Sequence, residues 1–344
     1  MVLEAHDTAH ALHQLQQKSL SWRAIRSYER KECETLEYRL PGTSGPISTH
    51  YKLLPLYREL ESEPGDIKTA RPGVILRWED EVRSKARRYR PLALEEAIVS
   101  TQADANIRAP RLLVLGSPGS GKTTLIQYLA WSAASDTLFE QSLVPARIRL
   151  RDWERWAHAN PETRFHDFLC AHYRPLVKGA PDVQTWSNWL RQGRVLLLLD
   201  GVDEIEDEEW FRQMLRELLD YRKTTLIMTT RTVAFRLYEP QSEAFAVYWL
   251  GPFQVPQRDA YIRAYPARHG FNRMRLIEQL DSNMALKSLA ENPLLLSIIC
   301  FAVDDEAQPS LPETRAALYG RFVDSLLARP ERVPIRYPAE PPPV

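Results

Sequence analysis

The chain has 344 residues, long enough for two or three domains with a buried core. Lysine plus arginine and aspartate plus glutamate each total 45, so the net charge is zero and no chain-wide field selects nucleic acid or an anionic membrane surface. Cys33, Cys170 and Cys300 are scattered and odd in number, which excludes a full disulfide framework. No apolar run approaches the roughly 20 residues of a bilayer span, so the expectation is a cytoplasmic protein with no membrane partner.

Residues 1–109 make up the first region. Leu12, Leu15, Leu20, Trp22, Ile25 and Tyr28 recur at loosely helical spacing and predict one or two amphipathic helices over residues 1–40, which the Pro41–Pro46 cluster ends. The next stretch is less regular. Its basic run, Lys85 to Arg90, is flanked by Glu79, Asp80 and Glu81 and by Glu95 and Glu96, so it reads as a solvated surface and nucleic acid is not the expected partner. The region is expected to be mostly helical and carries no assigned role.

From Arg111 the pattern changes. Apolar runs at Leu112–Leu115, Ala146–Leu150, Val195–Leu199, Thr225–Thr229 and Phe245–Leu250 alternate with predicted helices near Lys122–Ala134, Phe165–Tyr173, Val183–Gln192 and Glu208–Arg222. Strands joined by helical crossovers predict an α/β domain over residues 110–253, a doubly wound parallel sheet covered by helices. Beyond Gly251-Pro252, helical patterns at Gln257–Tyr265, Met274–Gln279, Met284–Ala290, Pro293–Phe301 and Pro312–Leu327 predict a C-terminal helical domain over residues 254–328. Residues 329–344, ending in Pro341-Pro342-Pro343, read as a proline-rich tail or linker.

The first strand of this domain runs directly into Gly116-Ser117-Pro118-Gly119-Ser120-Gly121-Lys122-Thr123-Thr124, the G-x-x-x-x-G-K-[ST] pattern in the strand-to-helix setting it requires. Backbone N–H groups of such a glycine-rich turn, with the positive end of the following helix, form a concave site for phosphate. Gly119 and Gly121 permit backbone angles that a side chain would obstruct. Lys122 supplies a point charge to the β- and γ-oxygens, and the Thr123 hydroxyl can ligate Mg²⁺. The pattern predicts a P-loop NTPase that binds ATP and ADP. No Asn/Thr-Lys-x-Asp element for reading guanine is evident, which favours adenine.

Val195–Leu199 leads into Asp200-Gly201-Val202-Asp203-Glu204, an apolar strand ending in carboxylates as a Walker B segment does. Asp200 falls at the carboxyl edge of the sheet and is expected to hold Mg²⁺. Asp203 and Glu204 are placed to orient or deprotonate water, or to cap the next helix. Thr225–Thr230 then delivers Arg231 to the same edge, where a guanidinium can sense or stabilise a γ-phosphate. His166 and Cys170 share one helical face, but His172 points away from it, so helix packing explains them better than a metal site. The tryptophans from Trp131 to Trp249 read as core residues and not as a base-stacking platform.

Together, Gly116–Thr124, Asp200–Glu204 and Thr229-Thr230-Arg231 resemble the NACHT branch of the STAND ATPases, bacterial members above all. The similarity continues through Leu250–Phe253, Tyr261–Tyr265, Asn292–Leu296, Leu311–Arg315 and Leu318–Phe322, covering about residues 110–328. The resemblance implies that Pro293 packs against adenine, although Asn292-Pro293 is also an ordinary helix cap followed by proline at the first helical position. It further implies slow hydrolysis used as a signalling switch, a closed ADP state, self-association in the ATP state, an unidentified trigger or sensor partner, and a role in bacterial antiviral defence or regulation. Relatives continue into a winged helix and a sensor domain, which this sequence barely reaches, so a sensor is expected from further sequence or another chain. A non-hydrolysing nucleotide-dependent scaffold and a nucleic-acid-stimulated ATPase are the two rival readings.

Overall fold

The computed structural model describes residues 20–37, 44–46, 56–59, 89–92, 109–137, 142–231, 245–265, 271–304 and 314–327. The chain divides into two compact units, one comprising residues 1–34 and 55–251 and the other residues 35–54 and 252–344. Elements are numbered here in chain order.

The first unit is built on a seven-stranded sheet. Its strands are β3 (Leu56–Glu59), β4 (Tyr89–Leu92), β5 (Arg111–Gly116), β6 (Val144–Arg149), β7 (Val195–Asp200), β8 (Thr225–Thr230) and β9 (Ala246–Leu250), in the spatial order β4-β3-β9-β5-β8-β7-β6. The last five pair in parallel, as the alternation of apolar runs and helices predicts. Every residue of β5 is buried, and all of β7 except Asp200, which is why both strands read as unbroken apolar runs. From β5 the chain crosses to the far edge at β6, returns through β7 and β8, and passes back over β5 to reach β9. That reversal sets a crevice at the carboxyl ends of β5, β7 and β8.

Two strands come from the region expected to be mostly helical. β3 pairs antiparallel with β9, Leu56 opposite Leu250, and β4 pairs antiparallel with β3. Four-residue strands bearing Arg58, Glu59, Arg90 and Pro91 carry too little alternation to announce themselves.

The crossover helices are α2 (Lys122–Ala134), α3 (Leu150–Ala159), α4 (Phe165–Tyr173), α5 (Val183–Gln192) and α6 (Glu208–Asp220). Asp182 caps α5 by accepting the Thr185 amide at 2.7 Å. Asp207 caps α6 by accepting the Glu209 and Trp210 amides at 3.0 and 2.9 Å. Of these helices only α3 has no counterpart in the sequence reading, which continued β6 through Leu150. Trp153, Trp186 and Trp189 lie in the core with Phe165, Phe168 and Tyr173, so they pack as the sequence reading expected.

Helix α1, residues 20–34, belongs to the same unit and docks on the β6 edge. Ile25 joins the core, and Trp22 meets Trp189 edge-on at 5.7 Å. Glu29, 1% exposed, accepts the Tyr173 hydroxyl at 2.6 Å and pairs with Arg147 of β6 at 3.4 Å. Burial pushes its carboxyl upward, against the opposing pull of Arg147 and Tyr173. Arg26 donates to the Ala134 carbonyl at 3.1 Å, pairs with Asp136 and reaches the Ser142 hydroxyl.

The second unit contains α7 (Val255–Ala264), α8 (Arg273–Ser282), α9 (Met284–Ala290), α10 (Pro293–Asp304) and α11 (Arg315–Leu327) around Ile262, Leu280, Leu296 and Ile299, close to the predicted helices. It also holds β1 (Thr35–Glu37) and β2 (Ser44–Pro46), an antiparallel pair where the sequence predicted only a helix end. Asn292 accepts the Leu294 and Leu295 amides at 3.0 and 3.2 Å, so the cap-then-proline reading of Asn292-Pro293 is realised. The proline-rich stretch at residues 329–344 and residues 1–19 lie outside the described residues.

The buried Glu29 contact yields a stability test. Glu29→Ala leaves Arg147 and the Tyr173 hydroxyl without their acceptor and is expected to cost about 3 kcal/mol in chemical denaturation. A carboxyl raised by burial binds its proton more tightly in the folded chain, so wild-type stability falls as pH rises through the interval above about 4.3. Glu29→Gln is expected to flatten that slope.

Candidate functional site

The loop Gly116–Gly121 connects β5 to α2 at the carboxyl edge of the sheet. Gly119 and Gly121 adopt φ of 77° and 97°, the left-handed angles expected of them. The Ser120 amide closes the turn onto the Ser117 carbonyl at 3.1 Å. Ser117, Pro118, Ser120 and Thr124 thus occupy the cradle the sequence assigns to them, between the strand end and the helix start.

Lys122, the first residue of α2, folds back over the loop. Its ammonium donates to the Gly116 carbonyl at 2.7 Å and to the Ser117 carbonyl at 3.2 Å. Burial holds its pKa below the usual lysine value, Arg231 adds to the depression, and Asp203, Asp200 and Glu204 oppose it. A charge already partly desolvated gains from an incoming phosphate, whose oxygens are stronger acceptors than peptide carbonyls.

Asp200 ends β7 beside the loop. One carboxylate oxygen accepts the Thr123 hydroxyl at 2.8 Å. The other accepts the hydroxyl of Thr229, the penultimate residue of β8. Thr229 in turn accepts the Gly201 amide at 3.2 Å. Thr123 and Asp200 therefore sit side by side, as the sequence predicts for the ligands of Mg²⁺. A hydroxyl and a carboxylate are hard oxygen donors that fit this ion.

Beyond Asp200 the chain makes a 3₁₀ turn at Val202–Glu204. Asp203 accepts the Arg231 amide at 3.1 Å and pairs with its guanidinium at 2.8 Å, with the Asp203 side chain only 10% exposed. Helix capping does not engage Asp203 or Glu204, because Asp207 performs it. The Glu204 carboxyl lies against Gly201, 3.3 Å from where a Cβ would stand. The sequence-assigned residues Lys122, Thr123, Asp200, Asp203, Glu204 and Arg231 are thus brought to one edge of one sheet. Pro293 lies in the second unit, at the start of α10.

Two residues of this edge were not singled out from sequence. Thr229 entered only as part of the Thr229-Thr230-Arg231 segment, with no role of its own. Glu154 of α3 is 6% exposed and accepts the Glu206 and Asp207 amides, which follow the acidic turn. His166, by contrast, faces the Tyr221 hydroxyl at 3.0 Å, a packing contact between α4 and the end of α6.

A family comparison matches residues 111–268 to the NACHT domain. No curated protein matches the chain. Among solved structures, AMPPCP-bound DnaA from Aquifex aeolicus aligns with a TM-score of 0.40 and 15% identity, covering 71% of this chain and 70% of that one. PCH-2 of C. elegans aligns with a TM-score of 0.39 and 11% identity over 74% of this chain and 70% of its own.

The turn after Asp200 is testable through Gly201, where φ is 87° and Glu204 stands against the missing side chain. Gly201→Ala is expected to lower thermal stability by about 1–2 kcal/mol through backbone strain and displacement of Glu204. Gly179→Ala, at φ 80° with nothing within 4 Å, is expected to cost less.

Proposed function

Residues 111–268 belong to the NACHT family of P-loop NTPases, and on that premise we propose that the chain binds Mg²⁺-ATP, hydrolyses it slowly and uses the nucleotide state as a signalling switch. The observation that carries this reading is the Asp200 carboxylate bonded to the Thr123 hydroxyl, beside a lysine folded over its glycine loop.

In the proposed reaction the loop amides and Lys122 bind the β- and γ-phosphates. Thr123 and Asp200 would hold Mg²⁺, which when bound would supply charge neutralisation at the phosphate oxygens. Glu204 accepts a proton from water as its oxygen bonds to the γ-phosphorus. The bond from that phosphorus to the β,γ-bridging oxygen breaks, and ADP and inorganic phosphate result. Arg231 contributes positive charge to the transferring phosphoryl group, and Asp203 acts through Arg231 by fixing its direction. Of the acidic pair, Glu204 is then the base and Asp203 the positioning residue, since Asp203 already has a cationic partner. Pro293 is proposed as an adenine contact.

The wider proposal is a protein that self-associates in the ATP state under control of a trigger or sensor partner. Its setting is the cytoplasm, and its role is bacterial defence or regulation. The family assignment and the neutral overall charge support this reading over a nucleic-acid-driven motor.

Three variants test the nucleotide chemistry. Lys122→Ala is expected to abolish binding of a fluorescent ATP analogue, and retained affinity would sink the proposal at its base. Glu204→Gln is expected to keep that affinity but slow single-turnover phosphate release on the order of 100-fold. Asp203→Asn, which weakens the hold on Arg231, is expected to slow release less. Unchanged release in both acid variants would favour the non-hydrolysing scaffold.

A further inference from the structure

We propose that Glu154 is a positioning residue for hydrolysis, fixing the loop that carries Glu204 from outside the nucleotide crevice. The proposal rests on the assignment of Glu204 as the group that activates water. Glu154 stands on α3, the helix that follows the edge strand β6, and is 6% exposed. A carboxylate so far removed from water is costly unless its lone pairs are engaged. No cation pairs with it among the described residues. One of its oxygens instead accepts two consecutive amides, Glu206 at 3.0 Å and Asp207 at 2.8 Å.

Those amides lie two and three positions after Glu204. Helix capping does not explain the contact, because α6 already has its own cap in Asp207, whose side chain takes the Glu209 and Trp210 amides. Without Glu154, the Glu206 and Asp207 amides could turn to water, as loop amides commonly do. A buried charge is spent on holding them.

The consequence is geometric. Residues 201–207 are anchored at the Gly201 amide by Thr229, at Asp203 by Arg231, and at residues 206–207 by Glu154. The first two anchors belong to the β7 and β8 ends. Glu154 alone of the three comes from an element outside those strands, so it fixes the turn against α3. Next to it, Trp153 meets Trp210 of α6 edge-on at 5.2 Å, which makes that support stiff. Glu204 sits inside the anchored span. Releasing the third anchor lets the base drift while Lys122, Thr123 and Asp200 keep their places.

The test uses the full chain with Glu154→Ala, Glu154→Gln and Glu154→Asp, read by affinity for a fluorescent ATP analogue, single-turnover phosphate release and thermal melting. Glu154→Ala is expected to keep affinity within about twofold and slow release by roughly 10- to 100-fold, the cost of a misplaced base. Glu154→Gln retains an acceptor oxygen and is expected to recover most of that rate. In a Glu204→Gln background, Glu154→Ala is expected to add little, because both changes act on one group. Glu154→Asp draws the acceptor back by one methylene and decides the matter if the alanine variant does not fold, with slowed release at unchanged affinity expected. Parental release rates in either truncated variant, or an equal loss of affinity and rate that glutamine does not repair, would overturn the positioning role. If the parent chain itself releases phosphate no faster than Lys122→Ala, the hydrolysis reading falls and takes this proposal with it. That result is distinct from normal release in both the parent and Glu154→Ala.

Discussion

The candidate site depends on one carboxylate. Asp200 takes a hydroxyl from Thr123 on one side and a hydroxyl from Thr229 on the other, and so ties together the start of α2 and the ends of β7 and β8. A parallel sheet brings the carboxyl ends of its strands to one edge but does not by itself fix what hangs beyond them. Here the fixing is electrostatic. Two hydroxyl donors to an ionised acceptor make stronger bonds than neutral pairs, in a setting where half of the partners are fully buried. Thr229 also takes the Gly201 amide, so the bond that orients Asp200 also sets the direction in which the chain leaves it.

That departure separates the two acids that follow. Asp203 and Glu204 are adjacent in sequence and indistinguishable by composition, yet the 3₁₀ turn sends them to different surroundings. Asp203 turns to Arg231 and is nearly covered. Glu204 lies over Gly201, which has no side chain to hold it away. Two neighbouring carboxylates thereby acquire different surroundings, one paired with a guanidinium and the other lying against a glycine.

Much of this was legible beforehand because it is local. The apolar runs of β5 and β7, the glycines with left-handed angles, and Lys122 followed by Thr123 each declare themselves within a few residues. What escaped is non-local or short. Helix α3 follows β6 without a break, so Leu150 reads as the strand's last apolar residue when it is the helix's first, and Trp153 and Ala157 then lack a start signal. Glu154 was hidden with it. Strands β3 and β4 have four residues each, too few to display an alternation. Glu29 and Arg147 are 118 positions apart, and no periodicity connects them.

Those distant contacts change how the N-terminal helix is understood. α2 begins at the phosphate loop and has no basic residue in its last turn, so the negative end of its dipole needs a cation from elsewhere. Arg26 of α1 supplies it, bonding the Ala134 carbonyl and Asp136 just beyond the helix end. Three residues on, Glu29 grips Arg147, which lies on the strand that leads into α3 and Glu154. α1 therefore touches both elements that converge on the site, α2 through its far end and α3 through the strand before it. A helix bound in this way is part of the unit built on the seven-stranded sheet and not an appended arm. Any displacement of α1 must break the contacts of the buried Glu29 carboxyl with Arg147 and Tyr173 and those of Arg26 at the end of α2.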